Sequence, residues 1–369
     1  MHGGNVHLIH RNKGIPVNRL IDFSANINPL GLPDELKKLM KNMMDELEYY
    51  PDPEYQEMAE LLGRFFQCND RRITPVNGAV QGIYDAIHLI RPQKGLIMTP
   101  TFSEYRTAMI RSGIAVYEEP LDARECFDIN LDRISRRIRK GTDMVVLCNP
   151  NNPTGRVVEK KPLIRLLELC TRYRCYLVVD ESFIDFLPNA ALYSLMDEIA
   201  NQPYLVLIRS FTKILALPGL RIGAVIHGNQ QMADRYRSKR PPWSVNTFGL
   251  SVARYLQQPH AVSFIRRTQE TIVVNRTNLY NEMKDIPGLK PIPSFVNYLL
   301  VQISSGPVNA AELQESLLDR NILIRDCADF RGLDSRWFRV AVKKESQNRW
   351  LVESLKKVIS GKGNTSCVE

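Results

Sequence analysis

The chain has 369 residues, 44% apolar and 24% charged, with 49 Lys and Arg against 40 Asp and Glu and hence a net charge of +9. That length buries a large core in one or two domains. No apolar run approaches the ~20 residues a bilayer-crossing helix needs, and Met1-His-Gly-Gly-Asn5 lacks the basic-then-apolar pattern of a secretory leader, so a cytoplasmic protein with no membrane partner is expected.

Seven cysteines are scattered (68, 126, 148, 170, 175, 327 and 367) with no Cys-x-x-Cys pair, which predicts reduced thiols and no metal site. The densest basic run is Arg133-Ile-Ser-Arg-Arg-Ile-Arg-Lys140. Leu131, Ile134 and Ile138 recur there at helical spacing, so the basic residues form the wet face of an amphipathic helix. No zinc-finger spacing or aromatic-rich RNA motif accompanies it, and no nucleic-acid partner is expected.

In chain order, residues 1–33 are rich in Gly, Asn and Pro and read as an arm that joins the C-terminal unit. Helices are predicted from Asp34 to about Leu47 and, past the break at Tyr49-Tyr50-Pro51, to about Phe66. A helix then opens at Asn77-Gly78 and runs through Ile90. Strands at 95–99, 115–118, 144–148, 175–179 and 204–209 alternate with helices at about 104–112 and 162–173. Short apolar strands alternating with helices predict an α/β fold with a mostly parallel sheet covered on both faces. We assign 34–250 to this large domain. A smaller α+β domain is expected over 251–360, with helices at 247–257, 260–285, 310–320 and 345–359 and strands at 298–303, 322–325 and 338–342. The tail 361–369 is expected to be disordered.

In an open α/β sheet, functional residues collect at the carboxyl ends of strands. After strand 204–209 comes Ser210-Phe-Thr-Lys213, with Arg221 eight residues on. The Lys213 amine can condense with an aldehyde, and Ser210, Thr212 and Arg221 are donors for a phosphate dianion. An aldehyde and a phosphate together point to pyridoxal phosphate. The other strand ends carry further candidates. Asp180 can pair with a protonated pyridine nitrogen, and Asn152 can donate to a ring hydroxyl. The Gly78, Ala79 and Val80 amides open a helix, where an anion is favoured, and Phe102 can stack on a planar ring. Taken alone each has a plainer explanation: Asp180 a cap or structural ion pair, Asn149–Gly155 a turn, Phe102 a core residue.

These motifs resemble the fold-type I pyridoxal-phosphate enzymes of the aspartate aminotransferase group over nearly the whole chain. A closer resemblance is to the threonine-phosphate decarboxylases of cobalamin biosynthesis, relatives of histidinol-phosphate aminotransferase. It rests on His2-Gly-Gly-Asn5, Asp22-Phe-Ser-Ala-Asn-Ile-Asn-Pro-Leu-Gly31, Tyr50-Pro-Asp52, Asp180–Phe186, Pro242–Asn246, Ile322–Arg325 and Gly332–Arg336.

The resemblance implies that Lys213 is catalytic and holds the cofactor aldehyde. Asp180, Asn152, Phe102, Ser210, Thr212, Arg221 and Gly78–Val80 would bind the cofactor, and Tyr50 would reach the cofactor phosphate of a partner subunit in a homodimer. His2, Gly3, Asn28, Asn152, Arg325 and Arg339 would meet a phosphorylated amino acid. Alternatively, Arg325, Arg336 and Arg339 pair with Asp326, Asp329 or Asp334. Two departures from aminotransferases stand out. Phe183 replaces their usual Tyr, as it does in the decarboxylases, and Ala79-Val80 stands where the decarboxylases often have polar residues.

The expected reaction is decarboxylation of L-threonine O-3-phosphate, with L-serine O-phosphate as a further substrate. Histidinol-phosphate aminotransferase and a catalytically inactive cofactor-binding protein are the alternatives.

Overall fold

The computed structural model describes residues 3–359. In chain order it contains α1 (Val6–Lys13), β1 (Ile21–Asp22), α2 (Asp34–Asn42), α3 (Gln56–Phe66), β2 (Ile73–Val76), α4 (Gly78–Ile90), β3 (Lys94–Thr99), α5 (Glu104–Arg111), β4 (Ala115–Pro120), α6 (Leu131–Arg139), β5 (Met144–Cys148) and α7 (Lys160–Arg172). It continues with β6 (Tyr176–Asp180), β7 (Leu205–Ser210), β8 (Gly223–His227), α8 (Gln230–Lys239), α9 (Phe248–Leu256), α10 (Pro259–Lys284), β9 (Leu289–Pro291) and β10 (Tyr298–Ile303). The last elements are α11 (Ala310–Leu318), β11 (Ile322–Leu323), β12 (Arg325–Asp326), β13 (Trp337–Ala341) and α12 (Glu345–Ile359).

Seven strands form one sheet in the order β2-β8-β7-β6-β5-β3-β4. Every pairing from β7 to β4 is parallel, while β8 runs antiparallel to both neighbours. The central strands are apolar on both sides because both sides are covered. Val145, Leu147, Leu177, Val179 and Leu207 pack with Ile134 and Ile138 of α6 and Leu163 and Leu167 of α7. On the other face, Val146, Val178, Val206 and Ile208 meet Ile83 and Ile87 of α4 and Tyr105 and Met109 of α5. Each such aliphatic side chain contributes about 1.5–3 kcal/mol on burial. The basic face of α6 is solvated as expected; Arg133 and Arg137 reach Glu119 at 3.6 Å.

The second sheet is antiparallel, in the order β12-β13-β10-β9. The N-terminal arm joins this part of the chain: β1 pairs in parallel with β11, Ile21 opposite Ile322. Among the described residues, no helix is long and apolar enough to cross a membrane.

The structure departs from the sequence expectations in several places. The arm contains the helix α1. The stretch 322–325, expected as one strand, divides at Ile324, because β11 pairs with β1 while β12 pairs with β13. Strands β1, β2, β8 and β9 and helix α8 were not anticipated. In β2 the cause is Pro75, which argues against a strand except at a sheet edge, and β2 is an edge strand. The predicted disordered tail, 361–369, lies outside the described residues.

Candidate active site

Parallel strands β3, β5, β6 and β7 end at one edge of the large sheet, so the residues that follow them gather there. Cys148 lies beside Asp180 in register, and Asp180 beside Ile208. The reversed strand β8 begins at this same edge. Its first residue, Gly223, is paired with Val76 on one side and Ser210 on the other. That register places the start of α4 next to the Ser210–Lys213 turn, although the two are more than 100 residues apart in sequence.

Close backbone approach completes the arrangement. A side chain at Gly223 would put Cβ 2.5 Å from the Arg209 carbonyl oxygen and 3.1 Å from the Ala79 nitrogen. Gly78 has φ +80°, and a Cβ there would lie 2.6 Å from Nη2 of Arg221, so the guanidinium rests on the first residue of α4. Arg221 itself is held at φ +59°. The hydroxyls of Ser210 and Thr212, both buried, share a 2.9 Å hydrogen bond. Two hydroxyls, a guanidinium and the free amides of Gly78–Val80 are thus gathered in a donor set suited to a phosphate dianion.

Lys213 follows in the same turn. Burial first, then Arg221 and Arg339, push its amine down to about 8, against the opposing pull of Asp180. The Asp180 carboxylate is buried, and burial pushes it above the ordinary range. Three donors oppose that: the Ser182 hydroxyl at 2.5 Å and amide at 2.9 Å on Oδ1, and the Tyr105 hydroxyl at 2.6 Å on Oδ2.

Phe102 stands edge-on to Tyr105, with centroids 5.7 Å apart. Asn151 braces the turn bearing Asn152: its side chain donates to the Pro100 carbonyl and Thr154 hydroxyl and accepts from Thr101. Pyridoxal phosphate fits these residues: an amine of lowered basicity for the aldehyde, a donor cradle for the phosphate and a buried carboxylate for the ring nitrogen.

Beyond Lys213 lie two guanidiniums. Arg325 and Arg339 are directly opposed on β12 and β13 and therefore project to the same side of the sheet. Arg325 is neutralised, with Nη2 donating to both carboxylate oxygens of Asp329 at 2.8 and 2.9 Å. The expected alternative of a structural ion pair therefore holds for Arg325. Arg339 differs. It donates to the Ser24 carbonyl at 2.8 Å and to Oδ1 of Asn152, packs over the Tyr298 ring, and has no carboxylate partner among the described residues. Its Nε is buried without a hydrogen-bond partner. Arg336 is spent on the carbonyls of Gly306 and Val308.

Gly3 is brought to this end of the site, where a Cβ would meet the Ser24 carbonyl at 2.2 Å and Arg339 Nη2 at 3.4 Å. His2 lies outside the described residues.

Asn28 requires a correction. Its Nδ2 donates to the Ile214 carbonyl and the Thr268 hydroxyl, its Oδ1 accepts from Leu30, and its backbone N–H donates to the Lys213 carbonyl. A side chain committed on both ends anchors the Lys213 turn rather than a substrate. Tyr50 is exposed and lies against Trp243, the rings tilted by 32° with centroids 4.6 Å apart. It borders a groove of about 390 Å³ lined also by Tyr49, Tyr55, Asn246 and Leu250.

Four contributors were missed by the sequence analysis. Ser182 and Tyr105 bond Asp180, Ser24 holds Arg339, and Tyr298 donates to the Asn151 carbonyl at 2.8 Å while supporting Arg339. Ser182 and Ser24 sit inside the motifs that carry the family resemblance, whereas Tyr298 is an ordinary position in an apolar strand.

The profile of the family described as aminotransferase class I and II matches residues 18–355. The chain is 33% identical over 360 residues to the threonine-phosphate decarboxylase of Salmonella typhimurium, covering 98% of this chain and 97% of that one. Among solved structures, it is similar to the histidinol-phosphate aminotransferase from Clostridium acetobutylicum (30% identity, TM-score 0.85, 92% of this chain and 99% of that one). It is also similar to the L-threonine-O-3-phosphate decarboxylase from Porphyromonas gingivalis (25% identity, TM-score 0.80, the same 92% and 99%).

Proposed function

We propose, from the premise that this chain belongs to the class I and II aminotransferase family, that it is a pyridoxal-phosphate-dependent decarboxylase acting on L-threonine O-3-phosphate. The product is the amino-alcohol phosphate used in corrinoid assembly. One observation carries the substrate class: Arg339, a buried guanidinium with no carboxylate to neutralise it among the described residues. Burying a charge without its counterion is costly, so such a group is retained where an anionic ligand supplies one. Arg325 lies opposite it but is paired with Asp329, so a substrate phosphate or carboxylate reaches that second guanidinium only by exchanging with the Asp329 carboxylate.

When bound, pyridoxal phosphate supplies an electron sink for the pair released at the substrate Cα. The protein supplies orientation. Clamping the phosphate far from the reacting carbon would provide binding energy that fixes the orientation of the substrate carboxylate. Carbon dioxide leaves, and a proton takes its place on Cα. Lys213, with its amine near pH 8, is the group placed to deliver that proton. Phe183, buried edge-on to Tyr298 at 5.1 Å, offers no hydroxyl to the ring.

The protein acts as a homodimer in the cytoplasm. The exposure of Tyr50 beside Trp243 supports its reaching across to the partner's cofactor phosphate, and the six described cysteines, all unpaired, agree with a reducing compartment. The test is incubation with threonine phosphate and serine phosphate separately, measuring carbon dioxide and the amine phosphate. A keto product formed from histidinol phosphate only when 2-oxoglutarate is present, without carbon dioxide, would replace this function with transamination.

A further inference from the structure

Asp180 has capacity for four hydrogen bonds, two on each oxygen. Ser182 fills Oδ1 with its amide and hydroxyl, and Tyr105 takes one place on Oδ2, which leaves one acceptor position on Oδ2. The oxygen that Tyr105 holds is thus the one left to meet a ring nitrogen. Tyr105 is fully buried and comes from α5, a helix 75 residues before Asp180. It is the third residue after Phe102, and their rings touch edge to face. The turn that covers the ring therefore also carries the group that holds the ring's counterion.

The titratable neighbours of this contact are Cys148, adjacent to Asp180 in register, Lys213 and Tyr298. Burial, Asp180 and Cys148 together hold the Tyr105 phenol well above its ordinary range, so it stays protonated and can only donate to Asp180.

We propose that Tyr105 is a positioning residue that governs where the proton between Asp180 and the cofactor's ring nitrogen resides. The inference rests on the assignment of Asp180 to that nitrogen. Each hydrogen bond a carboxylate accepts makes it a weaker base. With the Tyr105 donor present, Asp180 stays ionised and the proton stays on the ring. Without it, Asp180 competes for the proton, and the ring becomes a poorer electron sink. No bond to Tyr105 is made or broken.

The test is the nitrogen NMR signal of holoenzyme loaded with pyridoxal phosphate carrying ¹⁵N in the ring, which reports protonation without turnover. Tyr105→Phe should move the signal toward the neutral position, with a change in proton partition of about tenfold or more, the scale of losing one hydrogen bond to a charged group. Site-specific 2,3-difluorotyrosine at position 105, a stronger donor of nearly the same shape, should move it the opposite way; it also decides the matter should the phenylalanine variant not fold. An unmoved signal in both, with Asp180→Asn shifting it strongly, overturns the role of Tyr105 alone. An unmoved signal in Asp180→Asn overturns the Asp180 assignment and the proposal with it.

Discussion

Gly223 and Gly95 provide a sharp comparison. A Cβ at Gly223 would lie 2.5 Å from the Arg209 carbonyl oxygen, and one at Gly95 would lie 2.5 Å from the Met109 sulfur. Neither glycine has a positive φ, so both contacts are purely steric. The obstacles differ in kind. Met109 is an unbranched side chain that can swing aside. The Arg209 carbonyl belongs to β7, and the next obstruction, the Ala79 nitrogen at 3.1 Å, belongs to α4.

Ordinary contact begins near 3.4 Å, so Gly223→Ala must separate backbone from backbone by about 0.9 Å. Overpacking of this kind costs typically 1–3 kcal/mol. It also moves Ser210 relative to the start of α4, and a phosphate hydrogen bond stretched by that much is lost, at about 1.5–3 kcal/mol each. Gly223→Ala should therefore lower cofactor affinity roughly tenfold to a hundredfold and lower the apoprotein unfolding free energy by up to about 3 kcal/mol. Gly95→Ala should leave affinity within about twofold and cost under ~1.5 kcal/mol. Spectrophotometric titration with pyridoxal phosphate and urea unfolding of the apoprotein measure the two quantities. Equal effects in the two variants, or a worse Gly95→Ala, would refute the distinction between rigid and yielding neighbours.

Borohydride treatment of wild-type holoenzyme, followed by peptide mass mapping, should place a pyridoxyl adduct on Lys213, and Lys213→Ala should carry none. Arg339→Met should raise KM for phosphorylated amino acids yet cost the apoprotein no more than about 1 kcal/mol, because no carboxylate loses its partner. Arg209→Met should cost about 3–5 kcal/mol, since it strips the shared counterion from buried Glu181 and Asp185; urea unfolding that reversed this order would contradict the electrostatic assignments. Lys213 holds its proton more weakly in the folded apoprotein, near pH 8, than in the unfolded chain, near 10.5. The unfolded state thus binds more protons between those limits, and stability gains with rising pH across them. Wild-type apoprotein should gain on Lys213→Met by up to about 3 kcal/mol from pH 8 to 10.5, read from pH-dependent unfolding midpoints; a flat difference would mean that the amine is not buried as described.

The parts of the site legible in the sequence are those that follow strands with strong apolar character. Met144–Cys148 and Leu205–Ser210 are buried along their full length, and the apolar runs Met144–Cys148 and Leu205–Ile208 are enough by themselves to put Asn152, Ser210 and Lys213 at or just past strand ends. Asp180, expected just after its strand, is its last residue. What was hidden depended on contacts between distant segments. β8 was passed over although Pro218-Gly219 precedes it and Gly228-Asn229 follows it directly, because only five residues carry it, and Pro75 disguised β2. Tyr105 falls in the helix expected at about 104–112, where nothing local marks the hydroxyl that reaches Asp180. Asn28 was misassigned for a related reason: an Asn-rich motif shows available donors but not the partners that consume them.

The late position of β8 in the chain also has a bearing on how the enzyme is made. Val76 and Ser210 gain their common neighbour only once Gly223–His227 has been synthesised and has inserted between them. Closing so long a loop is entropically slow and comes after local helices and the parallel strands have formed. Vitamin B6 therefore cannot template early folding through its phosphate: the pocket for it exists only after the seventh strand has joined the large sheet, and cofactor loading becomes a checkpoint on that sheet.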